Sequence, residues 1–439
     1  MTRPCRYRRF PNLLCRRLPS RHDIRQPGGL GNPRHSRPGG LRYIRYRAIR
    51  HDSFNRLPGS LRLDHQIPGS VEDQAVDQEI QRRLPRPQPD VECLKHVLQR
   101  RPANRVPLVE LAIAEETLTA IHGQPLISLS RKNGLADFRA GIGQRVQLWR
   151  DLGYDYFRVR AEIPFQMQTL SARDTAQSAA GDRNWVNEHE GLIKDQAGCD
   201  AYPWPASAAI DFAAAEAAAT ALPDGMGLIG FSGGVLEWSS NLLGLEGMML
   251  LLYDNPDLVR TVVDRVGQTI YDAFQVFCQM DKVFAIWLGD DMGFKTATLL
   301  QPQHLRNYIL PWHKRYAELA HRTGRLFLLH SCGHVEAVMP DLIDDVRIDA
   351  KHSFEDVIVP VEEFKRRWGS RVAVLGGVDV DLLSRGTEAD VRQRTSQILE
   401  SCAPGGGYAC GSGNSITNYM PTANYLAMIE TIHHFNGRG

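Results

Sequence analysis

Eight short apolar runs bounded by turn residues recur along this chain, with longer segments of helical spacing between most of them. The runs are RVPLVELA (105–112), YDYFRVRAEI (154–163), GMGLIGFS (225–232), KVFAIWLGDD (282–291), RLFLLHSCG (325–333), IDAKHSF (348–354), RVAVLGGVD (371–379) and GGYACGSG (406–413). Apolar runs of this kind suit strands buried on both faces of a parallel sheet, with the intervening helices as crossovers. Eight such units in about 345 residues match a (β/α)8 TIM barrel with insertions. A doubly wound sheet would need a Gly-rich phosphate turn after its first strand, and ELAIAEE supplies none.

The helices carry their own stop and start signals. PASAAIDFAAAEAAATALPDG is rich in Ala and stops at Pro223 and Gly225. In NPDLVRTVVDRVGQTIYDAFQVFCQM, Asn255 is the expected N-cap with Pro256 in the first turn. TEADVRQRTSQILESCAPGG offers Thr387 as N-cap, and TANYLAMIETIHHF closes the chain. The apolar stretch NLLGLEGMMLLLYDNPD reads as a core helix. The insertion at 164–205 is long enough to form a lid over one end of the barrel.

Residues 1–90 stand apart. They hold nineteen Arg, no Lys and eight acidic residues, a net +11, so the remainder of a chain of net charge +2 carries −9. The segment has neither helical nor strand periodicity and cannot bury enough apolar surface to offset its ordering entropy. It is expected to be a disordered extension, or translated leader upstream of the true start, with the folded domain at 91–439. The basicity is confined there, which argues against a nucleic-acid-binding function for the folded part. No run reaches the roughly 20 apolar residues of a membrane span, and no secretory h-region follows the amino terminus. Eight scattered cysteines show no disulfide framework. A cytoplasmic protein with free thiols and no membrane contact is the expectation.

Active sites of such barrels lie at the carboxyl ends of the strands. Those ends carry Glu110; Arg158 and Arg160; Asp290 and Asp291; His330 and Cys332; His352; Asp379; and Cys410 with Asn414. Residues i and i+2 of a strand share a face, so His330 and Cys332 can converge. A catalytic zinc takes three protein ligands from such an N/S set and keeps a fourth place open, and Cys410 is the third candidate. A thiol in that place would become a thiolate nucleophile. Asp290 and Asp291 are candidate catalytic carboxylates; strand alternation turns one to the site and leaves the other for backbone or helix capping. Glu110, Arg158, Arg160, His352, Asp379 and Asn414 are candidate substrate-binding groups. A barrel-end His beside an inert thiol is the alternative reading of His330 and Cys332.

The order of GDDMG, QPQHLRNYILPWHKR, HSCG, DAKHSFED, LGGVDVDLL and GGYACGSGNSITNYMPTANYLAMIE resembles the uroporphyrinogen decarboxylase superfamily over about 91–437. The resemblance implies a single-domain (β/α)8 barrel. It also implies one of two activities: porphyrinogen decarboxylation in haem synthesis, or zinc-dependent methyl transfer from corrinoid proteins to thiols. The decarboxylases carry an Arg-rich segment after the first strand, where this chain reads ELAIAEETL. The methyltransferases carry HxCG after the fifth strand, as at His330–Gly333. Their third zinc ligand is a Cys whose place falls on Asn414 when GGYACGSGNSI is laid on the turn without gaps, with Cys410 four residues earlier. The expected function is methyl transfer from a corrinoid on a partner protein to a zinc-activated small-molecule thiol. The alternatives are a cofactor-free decarboxylase of uroporphyrinogen or another acidic pyrrole, and a non-catalytic corrinoid- or tetrapyrrole-binding module.

Overall fold

The computed structural model describes residues 83–173, 182–186 and 191–437. The expectation of disorder for residues 1–90 therefore falls, over 1–82, outside the described residues. Packing is already present at the beginning of the described part. Leu84 is buried, Arg83 pairs with Glu388 and Glu430, and Asp90 caps the helix Val91–Leu98 through the Cys93 amide.

Seven strands form one parallel sheet: β1 (Tyr156–Arg160), β4 (Gly227–Gly233), β5 (Val283–Gly289), β6 (Leu326–His330), β7 (Ala350–His352), β8 (Ala373–Leu375) and β9 (Tyr408–Ala409), paired in that order. β4 through β9 are buried at every position, as strands covered on both faces must be. The first of the eight predicted runs joins as a parallel bridge, Leu108 to Cys410, rather than as a ladder. Pro107 has no N–H to extend that ladder; its carbonyl accepts from Cys410 and the Cys410 carbonyl accepts from Val109, both at 2.9 Å. On its other side this segment meets β1 through the Tyr156 hydroxyl, which bonds the Glu110 amide at 2.8 Å and carbonyl at 2.5 Å. The α/β class and the parallel strand order thus follow the expectation.

The insertion contains an antiparallel hairpin, β2 (Thr169–Arg173) with β3 (Asp182–Val186), and a helix at Gln196–Ala201. Asn255 caps the helix Pro256–Phe277, and Thr387 forms a reciprocal capping box with Asp390 at Glu388–Cys402. The expected core helix at 241–257 is instead split at Gly244, whose φ of +73° ends one helix, Val235–Leu243, and starts another, Leu245–Asp254. On the second helix Leu250 and Tyr253 face outward, each 67 % exposed. Among the described residues no helix is long and apolar enough to cross a membrane.

Register fixes which side chains share the inner face. Gly289 pairs with His330, His330 with His352, His352 with Leu375 and Leu375 with Ala409. On the other side Trp287 pairs with Phe231, and Phe231 with Arg160. Paired residues of a parallel sheet point to the same side, and neighbours along a strand to opposite sides. Arg158, Arg160, Phe231, Trp287, His330 and His352 therefore line one face, while Lys351 and Cys410 lie on the other.

Candidate metal centre

The strand rule extends one step past the strand ends. Asp291 is two residues beyond Gly289, and Cys332 two beyond His330, so both rise from the face that carries His330. His330 Nε2 lies 3.3 Å from Cys332 Sγ and 3.5 Å from Asp291 Oδ1. The Cys332 amide donates to Asp291 Oδ1 at 2.7 Å. One nitrogen, one sulfur and one carboxylate oxygen thus lie within 4.8 Å of one another, buried or half-buried. Asn414 Nδ2 donates to Cys332 Sγ at 3.1 Å, and Ser353 Oγ lies 3.4 Å from the same sulfur.

Backbone contact locks this arrangement. Gly293 N donates to Cys332 O at 3.1 Å and His334 N to Phe294 O at 2.7 Å. A Cβ on Gly293 would come 2.5 Å from the Gly333 carbonyl carbon, and a Cβ on Gly333 would come 2.4 Å from that of Gly293. Only glycine at both positions lets the two turns lie this close, and Gly333 also adopts a φ of +77°.

Electrostatics favour a cation among these donors. Burial, with help from Lys351 and Arg158, lowers the His330 pKa to about 3, so the ring is neutral and offers a lone pair. Burial and then the Asp291 charge push the Cys332 thiol well above its usual range. A thiolate beside a carboxylate in a buried place needs compensating charge. Nitrogen, thiolate and carboxylate are a set that zinc accepts, and the buried Asn414 Oδ1, which has no hydrogen-bond partner, lies at its edge. The residues present fit such an ion.

Several expectations are corrected. Cys410 is not in the cluster: Ala409 shares the His330 row, so Cys410, one residue on, points to the opposite side of the sheet. It is fully buried, and burial raises its pKa to about 12. Asp291 is the third member of the cluster instead. Asp290, also turned away, accepts from the Leu236 and Glu237 amides at 3.2 and 3.1 Å and bonds His313 Nε2 at 2.7 Å. Its carboxylate serves the first turn of the helix Val235–Leu243. Asp379 spends both oxygens on the amides of Asp381 and Asp356, at 2.7 and 2.8 Å. Glu110 is fully buried and takes both the amide and hydroxyl of Ser412, at 2.7 and 2.5 Å. His352 is fully buried beside His330, with the two Nδ1 atoms 2.7 Å apart. The carboxylate oxygens of Asp379 and Glu110 are thus engaged by protein donors, and His352 is enclosed next to His330.

Arg158 and Arg160 remain on the inner face, their guanidiniums 4.2 and 5.9 Å from the Phe231 ring centroid. Arg158 Nε and Nη1 are buried without a hydrogen-bond partner, and burial lowers its pKa to about 10. Ser353 was not singled out from sequence; its φ of +103°, unusual for a side-chain-bearing residue, puts its hydroxyl against the cysteine. Lys351 lies on the far face, donating to the Ser353 carbonyl, and burial brings its pKa to about 8.

A parallel, curled α/β sheet with polar groups gathered at its strand ends is a TIM-barrel-like fold. A family model described as uroporphyrinogen decarboxylase (URO-D) matches residues 199–435, more than half of the chain. The chain belongs to this family. A uroporphyrinogen decarboxylase from Anaeromyxobacter dehalogenans is 28 % identical over 228 residues, 49 % of this chain and 61 % of that protein. One from Pseudoalteromonas translucida is 24 % identical over 230 residues, 48 % of this chain and 60 % of that protein. The chain thus spans about three fifths of the length of these relatives. A methyltransferase from Methanosarcina mazei shares the fold with a TM-score of 0.59 at 14 % identity, over 78 % of this chain and 98 % of that one.

Proposed function

We propose that the chain is a methyltransferase of this family that holds zinc through Asp291, His330 and Cys332 and passes a methyl group to a small-molecule thiol. The observation that supports this reading is the meeting of nitrogen, sulfur and carboxylate oxygen within 4.8 Å at the ends of adjacent strands. Zinc bound there would supply Lewis acidity, holding a thiol in its open place as thiolate at neutral pH. The chain's own groups do the remaining work. The Cys332 amide orients Asp291, Asn414 donates to the Cys332 sulfur, and Arg158 offers unpaired N–H groups to an anionic part of the acceptor. A corrinoid carried by a partner protein would deliver the methyl group.

A second reading, cofactor-free decarboxylation of an acidic tetrapyrrole, draws support from the names of the relatives and from the Arg158 guanidinium, which suits a substrate carboxylate. Metal analysis of the purified full chain separates the two. About one zinc per chain, lost in Asp291→Ala, His330→Ala and Cys332→Ser, together with methylation of a thiol by methylcobalamin, supports transfer. A metal-free chain that consumes uroporphyrinogen overturns it.

A further inference from the structure

His352 has no direct role in the donor set, yet the fold takes unusual care to place it. It is fully buried and in register with His330, and its Nδ1 stands 2.7 Å from His330 Nδ1. The Trp287 ring meets it edge-on, centroids 5.3 Å apart at 88°. Gly376 leaves room for it, since a Cβ there would lie 3.1 Å from His352 Nε2.

Two neutral imidazoles at this distance must share one proton between the facing nitrogens, one donating and the other accepting. His330 presents Nε2 to Cys332 and Asp291. We propose that His352 is a positioning residue: its Nδ1 accepts the Nδ1–H of His330, holding His330 in the one tautomer whose Nε2 lone pair is free for a metal. This role rests on the metal reading given above. The His352 proton then sits on Nε2, a buried atom that lies against the Ser412 backbone without a full hydrogen bond.

Metal-bound histidines commonly hand this second proton to a carboxylate, a backbone carbonyl or water. A neutral imidazole in that place adds no charge. The formal charge of the donor set is then set by Asp291 and Cys332 alone, which together balance a divalent ion.

The test is zinc affinity of the full chain by chelator competition. His352→Phe keeps a ring of similar shape without the acceptor and should weaken zinc binding roughly 10–100-fold. His352→Asn, whose amide oxygen can stand where Nδ1 stood, should recover most of that loss. Equal affinity of His352→Phe and the unsubstituted chain, or no recovery in His352→Asn, overturns the role. An unsubstituted chain that takes up no zinc overturns the metal reading itself, and this role with it. Should His352→Phe fail to fold, 15N-histidine spectra of the zinc-free unsubstituted chain still decide. A proton on His330 Nδ1 supports the role, and one on His330 Nε2 removes it.

Discussion

The side-chain amide of Asn414 donates to the sulfur of Cys332 across 3.1 Å, tying the turn after β9 to the end of β6. Hydrogen bonds to an ionised group contribute about 1.5–3 kcal/mol. Asn414→Ala should therefore weaken zinc binding by about tenfold or more without changing the zinc stoichiometry. Asn414→Cys places a thiol at the same point and should tighten it. Chelator competition reads both.

Cys410 makes the opposite case. Its thiol is buried on the far side of the sheet from His330, so Cys410→Ser should retain full zinc content. The cost falls on stability, because a buried hydroxyl replaces a thiol in an apolar place, about 1–3 kcal/mol. Metal analysis and urea unfolding of one preparation measure the two effects together.

Asp290 should behave as a structural carboxylate. Asp290→Ala leaves His313 and two helix amides without their acceptor in a fully buried place, at a cost of about 3–5 kcal/mol. Asp290→Asn, which keeps one acceptor oxygen, should cost less. If folded protein is recovered from either variant, its zinc affinity should match that of the parent.

Glu110 gives the stability curve a particular sign. Burial raises its pKa to about 8 from an ordinary 4.5, so the native chain holds a proton that the unfolded chain releases across that interval. Stability from this group is present at low pH and is lost as pH rises from 4.5 to about 8, by on the order of a few kcal/mol. His330, lowered from 6.5 to about 3, acts oppositely, adding stability as pH rises through that lower window. The difference between the parent and Glu110→Gln isolates the first effect. Denaturant unfolding at pH 5 and pH 8 should show the parent losing more stability than the variant.

The strand runs were legible because a strand covered on both faces is apolar at nearly every position. His330 and Cys332 were legible because i and i+2 share a face within one strand. Choosing between Asp290 and Asp291, or between Ala409 and Cys410, needs the register between strands, and register is a property of the assembled sheet. The pairing of Gly289 with His330, and of Leu375 with Ala409, settles both choices. The same knowledge would have shown His352 level with His330 on the inner face, close enough to bond its ring. Glu110 and Asp379 are ambiguous in sequence for another reason. A carboxylate near a strand end satisfies neighbouring amides as readily as it binds a ligand, and only the coordinates show which amides come close.

Gly293 and Gly333 press backbone on backbone where the carboxylate-bearing and thiol-bearing turns cross. Neither turn can shift, lengthen or take a side chain at that crossing without displacing the other. A lineage could alter which molecule enters from above by changing the outer loops, but the spacing of Asp291 from Cys332 would have to change in both turns at once. That coupling makes the pair a single heritable unit.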